Sequence, residues 1–514
     1  MQTSHQHLSD QEILRREKLQ QLRDLGIEPY PAASYAVNAH AADVKNRFSD
    51  EEGENIFTDV TLAGRLMQVR SKGKACFGEL QDSTGRIQIY VRQDDICPDE
   101  DKTLFTVFTK LLDIGDFVGV RGFAFRTRMG EITIHVTSFT VLAKTLRVLP
   151  VVKHSENAET GEIETHDGFT NPELRYRMRY VDLTVNPEFR DIFVKRSKLI
   201  TTLRAFLDEL GIMEVETPVL QNIHGGAAAR PFKTQHNALD QEMFLRIANE
   251  LYLKRLIVAG FDGVYELSKM FRNEGMDRTH NPEFTMCEFY VAYKDYYWMM
   301  ETTEQLLERI AHALHGKTLV HTGGHDIEFA GPYRRLSMYD GIKEYTGVDI
   351  SDMTEADLRA QCKTWDIPIA PSMGRGKIID EIFGEKVEPH LVQPTFVTDH
   401  PEDMSPLTKK HREKAGLVER FELYVNGKEI ANAYSELNDP IDQRERFEEQ
   451  LGLAARGDDE AMALDEDFLR ALEFGMPPTS GIGFGIDRLV MLFTNQSSIQ
   501  EVIFFPQMRP EKVD

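Results

Sequence analysis

The stretch Glu266–Tyr297, ELSKMFRNEGMDRTHNPEFTMCEFYVAYKDYY, decides the fold of the larger part of this chain. Two runs rich in aromatic and β-branched residues, Val264 to Phe271 and Phe284 to Tyr293, flank RNEGMDRTHNP, a segment crowded with turn formers. The pattern predicts strand, loop, strand. Side chains alternate faces along a strand, so Arg272 and Glu274 point one way if pairing extends that far. Glu288 and Tyr290 likewise share a face. An arginine, a histidine (His280), two carboxylates and a phenylalanine (Phe284) on one hairpin suit a site that holds phosphate, base and cation together.

At 514 residues the chain exceeds one ordinary core, so two or more domains are expected. Hydrophobic content of 41% and charged content of 28% describe a soluble globular protein. No apolar run approaches the ~18 residues of a membrane helix. The opening MQTSHQHLSDQEILRREKLQ has no apolar core of a secretory signal, which points to the cytosol. Cys76, Cys97, Cys287 and Cys362 are sparse and imply neither a disulfide framework nor a zinc site. The net charge of −24 argues at first against a nucleic-acid partner. That charge is unevenly spread. Residues 1–150 carry 19 Lys and Arg against 21 Asp and Glu, whereas the rest carries 41 against 63. Arg65–Arg92 holds six basic residues against Glu79 and Asp82. A polyanion needs a local basic face, not a basic protein.

Taken in order, Ser9 to Gly26 reads as a helix with capping-box spacing at Ser9 and Glu12 and a thin apolar stripe of Leu14, Leu22 and Leu25. From Asp59 to Leu149 come five short strands: TLAGRLMQV, KACFGELQD, GRIQIYVRQ, FVGVRGFAFRT and EITIHVTSFTVLAK. They predict a small Greek-key barrel of the OB type. Such barrels bind single-stranded nucleic acid on aromatics in a basic groove. Phe77 is the candidate stacking ring, Gln88 an amide able to read a base edge, and Arg70 a phosphate or base contact. Alternatively, Phe77 is barrel core and Arg70 plain surface. A polar, acidic linker follows, then a helix Phe189–Leu210, a strand EVETPVL, the Gly/Ala-rich HGGAAARPFKT and a helix Ala248–Ala259 with Glu250 near its start. Helices are expected near Asp340–Tyr345, Glu355–Thr364 and Lys377–Val387, with no evident task for Lys317–His400.

The familiar glycine motifs for nucleotides are absent; GRGK at Gly374–Lys377 has the wrong spacing. In GIGFGIDR the glycines Gly481, Gly483 and Gly485 alternate, baring one strand face to a flat ligand or to a close-packed helix. Glu429 and Glu436 are seven apart on KEIANAYSEL, so on one continuous strand they face opposite ways. To share a metal they need a bulge or turn near Asn432–Ala433. Hard oxygen ligands beside phosphates suit Mg²⁺.

Three blocks resemble motifs 1, 2 and 3 of the class II aminoacyl-tRNA synthetases: RYVDLTVNPEFR…EVETPVL with Pro218, FRNEGMDRTHNPEFTMCEFY, and GIGFGIDRLVMLF. With GGAAARPF, ANELYLKRL and EIANAYSELND between them, the pattern is similar to that of the bacterial lysyl-tRNA synthetases, from about Asp59 to Pro510. The resemblance implies an α+β fold: an N-terminal OB-fold β-barrel, then a class II antiparallel sheet flanked by helices. It divides the chain into a helical extension (1–58), an OB-fold anticodon-binding domain (59–150), a linker (151–174) and a catalytic domain (175–514). The implied partners are ATP, L-lysine, tRNA(Lys) and a second copy of the chain, with Mg²⁺ as cofactor.

By the same resemblance Arg272 holds the α-phosphate and the substrate carboxylate. Phe284 stacks on adenine with Arg488 on its other face, and Glu274, His280 and Asn281 complete the ATP site. Glu429 and Glu436 hold Mg²⁺. Glu288 and Tyr290 take the lysine ε-ammonium, while Gly226, Glu250, Asn432, Tyr434 and Glu436 line the rest of the lysine pocket. Arg70, Phe77, Gln88 and Glu131 meet the anticodon. Either Arg278 or His280 faces the γ-phosphate. Tyr434 stands where some relatives have Phe, and Ala431 and Ala433 where some have Gly. A buried ammonium needs a charged acceptor, which Glu288 supplies. Aspartate or asparagine activation, and a fold-retaining paralogue that charges no tRNA, are the competing readings.

Overall fold

The computed structural model describes residues 8–51, 55–97, 99, 101–151, 153–156, 163–166, 168–227, 229–371, 373–454 and 463–511. The chain divides into two compact units, residues 1–171 and 172–514. Among the described residues no helix is long and apolar enough to cross a membrane. All four cysteines are buried and free.

In the first unit the five predicted strands form: β1 (Val60–Lys72), β2 (Ala75–Gln81), β3 (Arg86–Arg92), β4 (Phe117–Arg126) and β5 (Ile132–Ala143). They close into a barrel in the order β1-β2-β3-β5-β4, with β3 and β5 parallel. Alternation decides which residues fill it: Leu80, Ile87, Ile89, Val91, Val118, Val120, Ile134 and Val136 point inward and are buried. Helix α1 (Asp10–Asp24) has the predicted capping box at Ser9 and Glu12. Its apolar stripe does not hold. Leu22 is buried against Val107 and Leu111, but Leu14 and Leu25 are exposed. Arg15 does the anchoring instead, donating to the Ile114 and Thr145 carbonyls at 3.0 and 3.1 Å. Much of the expected linker lies outside the described residues; its described parts, Lys153–Glu156 and Ile163–His166, pair as a small hairpin.

The second unit is built on one eight-stranded sheet. Its strands are β6 (Met213–Glu214), β7 (Gly263–Phe271), β8 (Glu283–Ala292), β9 (Arg334–Ser337), β10 (Thr395–Thr398), β11 (Arg420–Tyr424), β12 (Glu429–Ser435) and β13 (Thr479–Gly485). Their spatial order is β9-β10-β11-β12-β13-β8-β7-β6, antiparallel except for a parallel edge strand at each side. Helices α2 (Pro187–Glu209), α4 (Tyr296–His315) and α6 (Ile486–Phe493) cover one face. Leu199, Leu203, Met299, Leu306, Leu489 and Phe493 meet Cys287, Phe289, Ala431, Ala433, Ile482 and Phe484 there. The intervening residues of the same strands, Met286, Glu288, Tyr290, Asn432, Tyr434, Gly481 and Gly483, therefore face the other way, into a cavity. Helix α3 (Glu250–Val258) borders that side, and α5 (Arg375–Lys386) lies in the stretch whose task the sequence left open.

Three local expectations are corrected. EVETPVL is not one strand: Met213–Glu214 pairs with Val264 and Tyr265, and the chain leaves the sheet before Pro218. Leu220–Gln221 then joins a separate small sheet, since proline supplies no ladder donor. Pairing between β7 and β8 ends at Phe271 and Glu283, with one further bond from Arg272 N to Pro282 O at 2.9 Å. Glu274 lies beyond it. The bulge between Glu429 and Glu436 exists but sits at Ile430, opposite Leu423 and Tyr424, not at Asn432–Ala433.

Candidate functional site

The hairpin β7–β8, the β12 and β13 strands and the start of α3 enclose a cavity of about 930 Å³. Strand register arranges its floor in rows. Glu288 lies beside Gly483, and Gly483 beside Asn432; Tyr290 lies beside Gly481, and Gly481 beside Tyr434. The glycines make room for neighbouring side chains as much as for a ligand. A Cβ at Gly481 would come within 2.3 Å of both Glu436 Oε1 and the Tyr290 ring. At Gly485 it would meet only the Arg488 side chain, at 3.7 Å.

One end of the cavity is anionic. Glu288 is buried and accepts from the Tyr290 hydroxyl at 3.2 Å. Burial, and next the charge of Glu250, push its carboxyl up to about 8. Glu250 is also buried; it accepts from the Tyr434 hydroxyl at 2.7 Å and from Lys254 Nζ at 2.5 Å. Gly226 packs on it with a left-handed backbone, φ +85°, where a Cβ would stand 3.2 Å from Glu250 Cβ. Lys254 is fully buried one helical turn along α3 and bridges Glu250 to Glu436. Glu436 is thus one layer beneath the cavity wall, and its Oε1 has no hydrogen-bond partner.

The other end gathers two arginines among carboxylates. Arg272 lines the cavity, its guanidinium 5.1 Å from the centre of the Phe284 ring. Arg488 donates to the Glu429 carbonyl at 2.9 Å, reaches the Glu429 carboxylate at 3.4 Å and touches His280 Nε2 at 3.4 Å. His280, itself held by Asp277 at 2.8 Å, lines the cavity; Arg278 does not. Glu274 and Asn281 also line it, but the Asn281 amide is engaged by backbone, donating to Glu283 O and accepting from Gln507 N. The cavity therefore gathers Gly226, Glu250, Arg272, Glu274, His280, Asn281, Phe284, Glu288, Tyr290, Glu429, Asn432, Tyr434 and Arg488, and leaves Glu436 just behind.

Sequence reasoning missed Lys254, although Glu250 and Lys254 have the i, i+4 spacing of a helical ion pair. It also missed Arg420 and Glu422, which alternate on β11 onto the cavity face and bond each other at 2.6 Å. Arg420 orients Asn432, donating to its Oδ1 at 3.1 Å. Asp380 on α5 reaches the same wall, its carboxyl pushed up to about 7 by burial and by Glu422. Lys317–His400 thus contributes to the cavity. Among the described residues no three His, Cys, Asp or Glu side chains form a metal-binding cluster. An Mg²⁺ ion typically takes one or two carboxylates and completes its shell with phosphate and water. Glu429 on the wall offers one such carboxylate, and the Glu436 oxygen without a hydrogen-bond partner stands behind that wall.

On the barrel, Phe77 is 39% exposed and stands outside, so it is not core. Its ring is 4.9 Å from Tyr90. Arg70 is paired across from Phe77 and is exposed; Gln88 is half-buried, its Oε1 accepting from Thr133 at 3.0 Å. Glu131 lies in the turn before β5, 3.3 Å from Lys45.

Two family models match the chain. That of the class II tRNA synthetases (D, K and N) covers residues 171–509, and an OB-fold nucleic acid binding domain covers 60–142. A lysine–tRNA ligase of Porphyromonas gingivalis is 62% identical over 508 residues, covering 98% of this chain and 86% of that protein. Proteins of the same name from Christiangramia forsetii and Azobacteroides pseudotrichonymphae are 60% and 57% identical, each over 99% of this chain and over 87% and 100% of their own lengths.

Proposed function

This chain belongs to the class II tRNA synthetases (D, K and N), and from that premise we propose that it acts as a lysine–tRNA ligase. It activates L-lysine with ATP and passes the lysyl group to the 3′ end of tRNA(Lys). The observation that carries the choice of amino acid is the buried Glu288–Tyr290 pair beside Glu250. A carboxylate desolvated among other carboxylates calls for a cation, and lysine brings an ammonium at each end. Aspartate or asparagine would leave these acceptors facing a like charge or a neutral amide.

In the first step the lysine carboxylate attacks the α-phosphorus of ATP, the bond to the β-phosphate oxygen breaks, and pyrophosphate leaves. No side chain acts as nucleophile. Glu288 and Tyr290 hold the ε-ammonium, while Glu250, steadied by Lys254 and Tyr434, receives the α-amino group. Arg272 neutralises the carboxylate and α-phosphate as they meet, and Phe284 carries the adenine. Arg488 and His280 suit the outer phosphates. This is catalysis by positioning and charge neutralisation. Glu429 and Glu436 are the residues that would hold Mg²⁺, whose charge would offset that of the phosphates. In the second step the terminal ribose hydroxyl of tRNA attacks the lysyl carbonyl and AMP leaves. Arg70, Phe77, Gln88 and Glu131 take the anticodon.

The exposed apolar residues Tyr180, Val194, Phe504 and Phe505 support a homodimer formed through the motif 1 region. A cytoplasmic location follows from the tRNA substrate. The test is amino-acid-dependent exchange of pyrophosphate into ATP. Exchange with lysine and none with aspartate or asparagine is expected. Exchange driven by either of those overturns the specificity, and no exchange with any amino acid overturns the enzyme.

A further inference from the structure

Phe77 and Tyr90 are the start of a longer row. Across the outside of the barrel, register places Tyr90 beside Phe77, His135 beside Tyr90, and Phe123 beside His135. The successive ring centres are 4.9, 5.3 and 4.8 Å apart. The last pair differs from the others in that Phe123 and His135 are stacked, with 22° between their planes. Three features build it. Thr137 is an extra residue in β5, which resets the register so that both rings come to the outer face. At the reset, Gly122 lies so close to β5 that a Cβ there would stand 1.8 Å from the His135 carbonyl oxygen. Asp95, on the turn after β3, grips His135 Nε2 at 2.7 Å and fixes the imidazole.

Phe123 nevertheless remains 39% exposed, as exposed as Phe77. A ring laid on an anchored imidazole and open to solvent is not filling the barrel, whose interior is closed by Val118, Val120 and Ala124. Four rings in line exceed the footprint of one base. The pair lies within the stretch matched by the OB-fold nucleic acid binding domain and is continuous with Arg70, Phe77 and Gln88. Aromatic platforms of this kind take successive bases of a single strand. We propose that Phe123 and His135 form a second stacking step for single-stranded RNA, holding a nucleotide other than the one on Phe77. This rests on the reading of the barrel as the tRNA anticodon site.

The experiment uses the full chain and an RNA stem-loop carrying the anticodon arm of tRNA(Lys). Phe123→Leu keeps apolar volume but removes the π face, and Phe123→Tyr keeps both. Phe123→Leu is expected to weaken RNA binding about tenfold, and Phe123→Tyr to leave it near wild type, with equal melting temperatures. Stem-loops made abasic at one loop position at a time then locate the base. The position at which Phe123→Leu no longer matters should differ from the position for Phe77→Ala. The inference is overturned if Phe123→Leu binds as wild type while Phe77→Ala is weakened, or if both variants point to one base. If neither variant changes RNA binding, the anticodon reading of the barrel fails and this inference falls with it.

Discussion

On the proposed reading, the cavity and the barrel face recognise by opposite means. In the cavity the deciding group, Glu288, is 4% exposed and held in a nest of carboxylates and tyrosines. On the barrel the leading ring, Phe77, is 39% exposed, with Arg70 beside it. A small ligand surrounded on all sides can be selected by a buried carboxyl, because that group ionises at little cost only when the ligand brings the cation that pairs with it. A flexible polymer held on one side is gathered by open π faces and screened cations, each contributing modestly. The same sheet physics serves both. Period-two alternation sends Glu288 and Tyr290 into the cavity, and Phe77, Tyr90 and His135 out of the barrel.

If that contrast is right, the two surfaces should fail separately and by different amounts. The largest loss is expected in the cavity. Glu288→Gln should lower kcat/KM for lysine by roughly 2–5 kcal/mol in pyrophosphate exchange and leave the KM for ATP nearly unchanged. Equal losses for both ligands would remove Glu288 from its role. A smaller loss belongs to the barrel. Phe77→Ala should weaken tRNA charging by about 1–3 kcal/mol and leave pyrophosphate exchange intact. A deficit in both reactions would make Phe77 structural.

The third effect sharpens the cavity alone. Burial and Glu250 raise Glu288 from the ordinary carboxylate value of 4.5 to about 8. Between those values the folded protein holds a proton that the unfolded chain has released. Its contribution to stability is therefore full below pH 4.5 and is lost as pH rises to about 8. An arriving ammonium favours the carboxylate and expels the proton. Calorimetric titration of lysine near pH 6.5, in buffers of different ionisation enthalpy, should register release of about one proton that vanishes in Glu288→Gln. No release from the wild type would contradict the raised carboxyl.

Much of this was legible because it lies in local pattern. The five barrel strands, the Ser9–Glu12 cap and the β7–β8 hairpin follow from alternation and turn formers. What stayed hidden depends on long-range register. The bulge at Ile430 is set by where β11 pairs with β12, and nothing in EIANAYSE marks it. Lys254 reads as an ordinary helical lysine until Glu436, far along the chain, arrives against it. Arg15 looks like surface until two backbone carbonyls are brought to its guanidinium. Asp380 came from a segment without motifs, and only the cavity wall assigns it a place.

On the proposed reading a buried carboxylate selects lysine by its ammonium. The check is to compare lysine with norleucine, which has the same four-carbon side chain without the ε-ammonium, in pyrophosphate exchange. The wild type should prefer lysine by roughly 10⁴-fold in kcat/KM, and Glu288→Gln should collapse most of that preference. A Glu288→Gln protein that still rejects norleucine as strongly as the wild type would contradict the account.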